Sequence, residues 1–269
     1  MIKFVTTVNQ KLFNEYGKRA LSEFDYFCGP GIEMSLVFEG DLPADIGSYD
    51  KILIHEAKSS ERSGFHRKFG QLKEANGLCI KYLNSEKTSL SVFHNYRYDA
   101  VRFSHKMFSI WEEYLRSRKT ADYLVWIDAD IRVLKKFEES DLMRFLPDRD
   151  ELVAYLGRTH FPKPNPYSEG GWYAFNLNNA LTERFIQTLV GLYNSGEIFA
   201  LKEWHDCIAF DSVREMFEDS GASFKNLSKG IEELEHPFIN CGLEQYFDHL
   251  KGPARKQLGR SLASDKKSI

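Results

Sequence analysis

Asp128 and Asp130 stand one residue apart at the end of the apolar run Tyr123-Leu124-Val125-Trp126-Ile127. Paired carboxylates are hard oxygen donors. They suit a divalent cation that keeps its other positions for water and phosphate oxygens. Short Asp-x-Asp strings are common in solvated turns. A run this apolar reads instead as a strand buried on both faces, and acids at its end need a partner. Strand alternation points both to one side, at the carboxyl edge of a sheet, where open α/β folds bind ligands. The pair therefore predicts a metal-assisted phosphate or diphosphate site.

Other residues have chemistry to offer. Thr6, Thr7 and Asn9 occupy a strand-to-helix turn, where small polar side chains and unpaired N–H groups either meet a nucleotide or cap the helix. Arg102 and Lys106 lie four apart on the helix before the acid strand, as anion binders or as part of an intrahelical ion pair. Asp206 falls at a helix start, where the dipole holds a carboxylate charged and favours a basic role, or a capping one, over proton donation. His249 and Lys251 sit in the basic, glycine-containing stretch Asp248-His249-Leu250-Lys251-Gly252-Pro253-Ala254-Arg255-Lys256, as a diphosphate clamp would require.

The elements that must carry these residues follow from periodicity. Strands are expected at 2–8, 32–38, 49–56, 151–156 and 168–176, and helices at 11–24, 98–118, 140–145, 181–195 and from 203. Gly170 and Gly171 let something approach that last strand's backbone. Residues 57–67 are polar and charged and read as a mobile excursion, its basic residues Arg62 to Lys68 either solvated or facing an anionic acceptor. The proline-rich stretch 161–167 reads as a loop over the site. Gly252-Pro253 is expected to stop a helix, and 261–269 to form a disordered tail.

The chain has 269 residues, 42% of them hydrophobic, and a net charge of −3. That suits one α/β domain: a donor-binding half at 1–135, an acceptor half at 136–260, and the tail. The slight negative charge gives no global case for nucleic acid. Cys28, Cys79, Cys207 and Cys241 are scattered, as in a reducing compartment. No apolar run reaches membrane-spanning length. The expectation is a cytoplasmic protein with no membrane partner.

Three features resemble glycosyltransferases of the GT-A fold. They are the opening Phe4-Val5-Thr6-Thr7-Val8-Asn9 with Tyr16 in the next helix; Val125-Trp126-Ile127-Asp128-Ala129-Asp130, similar to that fold's D-x-D signature; and the order Glu169-Gly170-Gly171-Trp172, Trp204-His205-Asp206, His249-Leu250-Lys251-Gly252. The resemblance implies a Rossmann-like, spore-coat-polysaccharide-synthase-like architecture, a mixed, mostly parallel sheet flanked by helices. It implies a nucleotide-diphosphate sugar donor and Mn²⁺ or Mg²⁺ held by Asp128, Asp130 and His249. Lys251 would neutralise the leaving diphosphate, Arg102 and Lys106 would hold donor phosphate or sugar hydroxyls, and Thr6, Thr7 and Asn9 would touch the nucleoside. An inverting enzyme needs a general base, with Asp206 first and Glu169 second; a retaining one needs no strong base. The His249 loop lacks the full glycine–lysine–proline–tryptophan ending of the glycogenin-like group. The strings around Trp204 and His249 are also similar to transferase-like proteins of tailed phages, which would place the chain in a host cytoplasm. Hydroxymethylated DNA, a glycan and a protein all stand as acceptors. The rival readings are a haloacid-dehalogenase-type phosphatase, in which the D-x-D strand normally comes first, and a non-catalytic nucleotide-sugar-binding protein.

Overall fold

A computed structural model describes residues 1–82, 90–159 and 167–266. The elements are β1 (Ile2–Asn9), α1 (Gln10–Leu12), α2 (Lys18–Phe27), β2 (Ile32–Glu39), β3 (Ile52–Glu56), α3 (Ser60–Phe69), β4 (Leu78–Tyr82), β5 (Leu90–His94), α4 (Ala100–Ser117), β6 (Tyr123–Ile127), β7 (Ile131–Val133), α5 (Glu139–Leu142), β8 (Glu151–Leu156), β9 (Glu169–Asn176), α6 (Thr182–Ser195), α7 (Asp206–Asp219), β10 (Ser223–Asn226), β11 (Phe247–His249) and α8 (Pro253–Leu258).

Seven strands form one sheet in the order β10-β8-β9-β6-β1-β2-β3. Every neighbouring pair is parallel except those of β9, which runs against both β6 and β8. The chain therefore adopts the expected α/β class, a mixed, mostly parallel sheet flanked by helices. The run of β6 is apolar throughout because both faces are covered. Val125 and Ile127 pack with Phe4, Phe24 and Phe247 on one side, and Leu124 and Trp126 pack with Phe108 of α4 and Phe210 of α7 on the other. Burying each such side chain contributes roughly 1.5–3 kcal/mol.

Strand direction decides where the chemistry collects. The carboxyl ends of β1, β2 and β6 and the amino end of antiparallel β9 lie at one edge. A second, two-stranded sheet pairs β7 with β11, setting His249 opposite Ile131. The Leu250 N–H donates to Asp130 O at 2.8 Å, fastening this late segment to the acid pair.

Several local expectations are corrected. Residues 57–67 are no excursion: Ser59 caps α3 by accepting from the Arg62 N–H. Arg62 is not presented to an acceptor. It is 3% exposed and donates to both carboxylate oxygens of Glu112, at 3.0 and 3.2 Å. Gly252-Pro253 opens α8 instead of ending a helix, since proline at a first helical position lacks only an N–H that would be unpaired anyway. Residues 261–266 are tied down: the Ser261 N–H donates to Asp248 at 2.9 Å, and Arg255 donates to Asp265. Residues 160–166, most of the expected proline-rich loop, and 267–269, the end of the expected tail, lie outside the described residues.

Candidate functional site

β6 ends at Ile127, so both acids lie in the connection to β7. Alternation along a strand is thus not what brings them together. Asp128 turns towards Lys106 of α4, and Asp130 towards Lys256 of α8. His249 meets both: its Nε2 is 3.5 Å from Asp128 Oδ2 and 3.3 Å from Asp130 Oδ1. The potential ligand atoms of Asp128, Asp130 and His249 lie within 4.8 Å of one another.

Each outer oxygen has a basic partner. Asp128 Oδ1 accepts from the Trp126 indole at 2.9 Å and lies 3.0 Å from Lys106 Nζ. Asp130 Oδ2 lies 2.8 Å from Lys256 Nζ. Burial opposes the charge on Asp128, and Lys106 with His249 outweighs it, so the carboxyl is held below its ordinary range. Burial likewise opposes a charged His249. Asp130, Asp128 and Glu169 outweigh that and raise its pKa well above the usual value.

Behind His249 stands Glu169, 1% exposed. Its Oε1 lies 3.1 Å from His249 Nδ1, 3.4 Å from His236 Nδ1 and 3.5 Å from Lys251 Nζ, and its Oε2 accepts from Arg158 at 2.6 Å. Burial disfavours the carboxylate, but Lys251, Arg158 and His236 hold it well below the usual range. An anionic Glu169 against Nδ1 leaves Nε2 as the nitrogen facing the acids. The set of two carboxylates and one imidazole oriented by a further carboxylate is the donor chemistry of a divalent-cation site.

Lys106 is buried, 2.5 Å from Asp206 Oδ2, and donates to Gly170 O at 2.7 Å. Burial disfavours its ammonium, yet Asp128 and Asp206 raise its pKa. Two glycines make this crowding possible. A Cβ on Gly170 would sit 2.5 Å from Asp206 Oδ2, and one on Gly171 would sit 2.8 Å from His249 Cε1.

The structure separates the residues the sequence pointed to. Asp128, Asp130, His249, Lys106, Lys251, Glu169 and Asp206 converge. Arg102 is exposed on the first turn of α4. Thr7 donates to Val37 O at 2.7 Å and to Glu39 Oε1 at 3.0 Å, and Asn9 caps α1 by accepting from the Leu12 N–H. The Thr6 hydroxyl is buried without a hydrogen-bond partner and lines a cavity of about 10 Å³ with Val8, Gly17, Asp128 and Ala129. Lys106, expected to hold donor phosphate, is instead committed to two carboxylates. Asp206, expected to face an acceptor, is 2% exposed and paired beneath the site.

Three participants went unassigned from sequence. Lys256 carried no signal beyond the basic loop, and Arg158 and His236 carried none. Tyr16 lies under Lys256, whose ammonium is 4.5 Å from the ring centroid. A π-helical segment, Phe13–Gly17, places that ring, and such segments recur at functional sites. Among the described residues, no helix is long and apolar enough to cross a membrane.

Neither a protein-family model nor a curated protein matches this chain. Among solved structures it is similar to the apo-form of the glycosyltransferase GlyE of Streptococcus pneumoniae TIGR4, at 13% sequence identity and a TM-score of 0.45, over 84% of this chain and 45% of that one. The chain thus spans less than half of that neighbour's length, and a likeness this remote bears on neither activity nor ligand.

Proposed function

We propose that this chain is a metal-assisted glycosyltransferase that moves a sugar from a nucleotide-diphosphate donor to a hydroxyl acceptor. One observation carries the reading: Asp128 Oδ2, Asp130 Oδ1 and His249 Nε2 face one another at the carboxyl edge of the sheet, with lysines on the outer oxygens. The motif resemblance along the sequence points the same way. Asp128, Asp130 and His249 would hold Mn²⁺ or Mg²⁺, which as a Lewis acid would stabilise negative charge on a departing diphosphate.

The chain's own residues supply the rest. With a cation bound, Glu169 would keep the remaining proton of His249 on Nδ1 and hold the ring's orientation. Lys106 fixes Asp128 and is itself fixed by Asp206 and Gly170. Lys251 is 40% exposed at its side chain and can turn from Glu169 towards a diphosphate, the clamp role. Asp206 and Glu169 are assigned positioning roles, because each buried carboxylate is already engaged by cations and neither can reach an acceptor hydroxyl. The acceptor's proton must then leave to another group. Thr6, Thr7 and Asn9 remain the candidates for the nucleoside, and exposed Arg102 for donor phosphate or sugar hydroxyls. A phosphatase would need Asp128 as an in-line nucleophile, whereas one of its oxygens is held by Lys106 and Trp126 and the other faces His249.

The test is a panel of nucleotide sugars with Mn²⁺, read as thermal shift and donor hydrolysis. A ligand that binds only the native state raises the melting temperature. The expected result is an Mn²⁺-dependent shift and slow hydrolysis with one donor, both abolished in Asp130→Ala. A shift that Asp130→Ala leaves intact would overturn the metal assignment. Hydrolysis of simple phosphate esters in place of sugar donors would favour the phosphatase.

A further inference from the structure

The two lysines on the acid pair differ in kind. Lys106 is buried and held by Asp128, Asp206 and Gly170 O. Lys256 keeps 28% exposure at its side chain and meets one of these acids, Asp130. It rides on the short helix α8, between Gly252 at φ +84° and Gly259 at φ +66°. The helix itself is anchored: Arg255 pairs with Asp265, and Arg132 donates to Gly259 O at 2.9 Å. The Lys256 side chain can leave Asp130 without the helix moving.

Charge balance gives that mobility a consequence. The half-buried acids Asp128 and Asp130 and the buried Glu169 and Asp206 are matched by Lys106, Lys256, Arg158 and Lys251. A divalent cation entering this set, which already holds a cation for every acid, adds two positive charges beside Lys256. An incoming diphosphate restores the balance and offers the ammonium new oxygens.

We propose that Lys256 couples the cation to the nucleoside diphosphate, holding Asp130 until the anion arrives, so that each ligand strengthens binding of the other. This rests on the metal-site reading above. Linkage makes the coupling reciprocal. A merely structural lysine predicts the opposite sign, since its loss would loosen Asp130 and weaken the cation.

The test is calorimetric titration of Mn²⁺ into the full chain, alone and with saturating UDP, GDP, CDP or ADP, for wild type, Lys256→Met and Lys256→Arg. In wild type, one nucleotide should tighten Mn²⁺ about tenfold or more, within the ordinary range of such couplings. Lys256→Met should bind Mn²⁺ alone about fivefold tighter and show a coupling about fivefold smaller, the remainder being the direct attraction between cation and diphosphate, while Lys256→Arg keeps the wild-type pattern. Equal or weaker binding of Mn²⁺ alone to Lys256→Met overturns the coupling role and leaves the metal site standing. Absence of Mn²⁺ binding in wild type, with or without nucleotide, overturns the metal site and this role with it.

Discussion

Gly171 holds its place through what it lacks. Its missing Cβ is the space that the His249 ring fills, at 2.8–2.9 Å from where that carbon would be. Gly171→Ala must therefore push the imidazole off the acid pair or bend β9. The expected cost is about 1–3 kcal/mol of stability, as for other overpacked sites, together with loss of Mn²⁺-dependent stabilisation. Gly64, in α3 with nothing within 4 Å of its would-be Cβ, is the control. Gly64→Ala should be neutral or stabilising by about 0.5–1 kcal/mol through helix propensity. Denaturant unfolding of both variants checks this, and an undisturbed Gly171→Ala would mean that the glycine is not there for His249.

The packing of α3 on α4 rests on a buried ion pair. Arg62 and Glu112 are 3% and 7% exposed, and Arg62 also donates to Ser109 at 2.9 Å and His105 Nδ1 at 2.8 Å. Removing one partner strands a charge, so Arg62→Ala should cost about 3–5 kcal/mol. Replacing both as Arg62→Met with Glu112→Leu should recover most of that loss, because apolar packing often substitutes for a buried pair. Urea midpoints of the single and double variants decide it. A double variant as weak as Arg62→Ala would mean that the bonds to Ser109 and His105 dominate. Sequence periodicity found the apolar stripe of α4 but not α3, whose run Ser60-Glu61-Arg62-Ser63-Gly64 shows no apolar stripe. The helix is held on α4 by Arg62, which reaches across to Glu112 fifty residues away in the chain, and by Phe65, whose ring packs on Phe108.

Across the whole molecule, three histidines are expected to weaken the fold as pH falls below about 6.5. Burial and the neighbouring Arg62 and His66 push His105 well below its ordinary pKa; burial and Arg62 lower His66; and burial with Arg116 lowers His55 to about 4. Each is neutral in the folded chain. In the unfolded chain each takes a proton near pH 6.5. The unfolded state then binds more protons, so stability rises with pH across this range. The contribution is complete above about pH 6.5 and is lost as pH falls from there towards the folded values, about 4 for His55. His249 works in the opposite sense, since its folded pKa is raised. Unfolding free energy should fall between pH 7.5 and 5, with a shallower slope in His55→Gln and in His105→Gln. Slopes unchanged in both variants would put the acid sensitivity elsewhere.

The acid pair, the strand that delivers it and the α/β alternation were legible in the sequence because they are local. β6 needs only a short apolar run, and its carboxylates follow directly. The late His249 stretch was visible as chemistry, and its place beside Asp128 and Asp130 came only from resemblance. What tertiary structure decided was partnership. Antiparallel β9 and the small β7–β11 sheet bring Glu169, Gly171 and His249 to the edge where β6 ends. Lys106 and Asp206, read from sequence as a phosphate binder and a base, instead neutralise each other in the interior. A side chain's charge is written in its type. Whether that charge is free for a ligand depends on which opposite charge the fold sets within about 3 Å of it, and long-range pairing alone determines that.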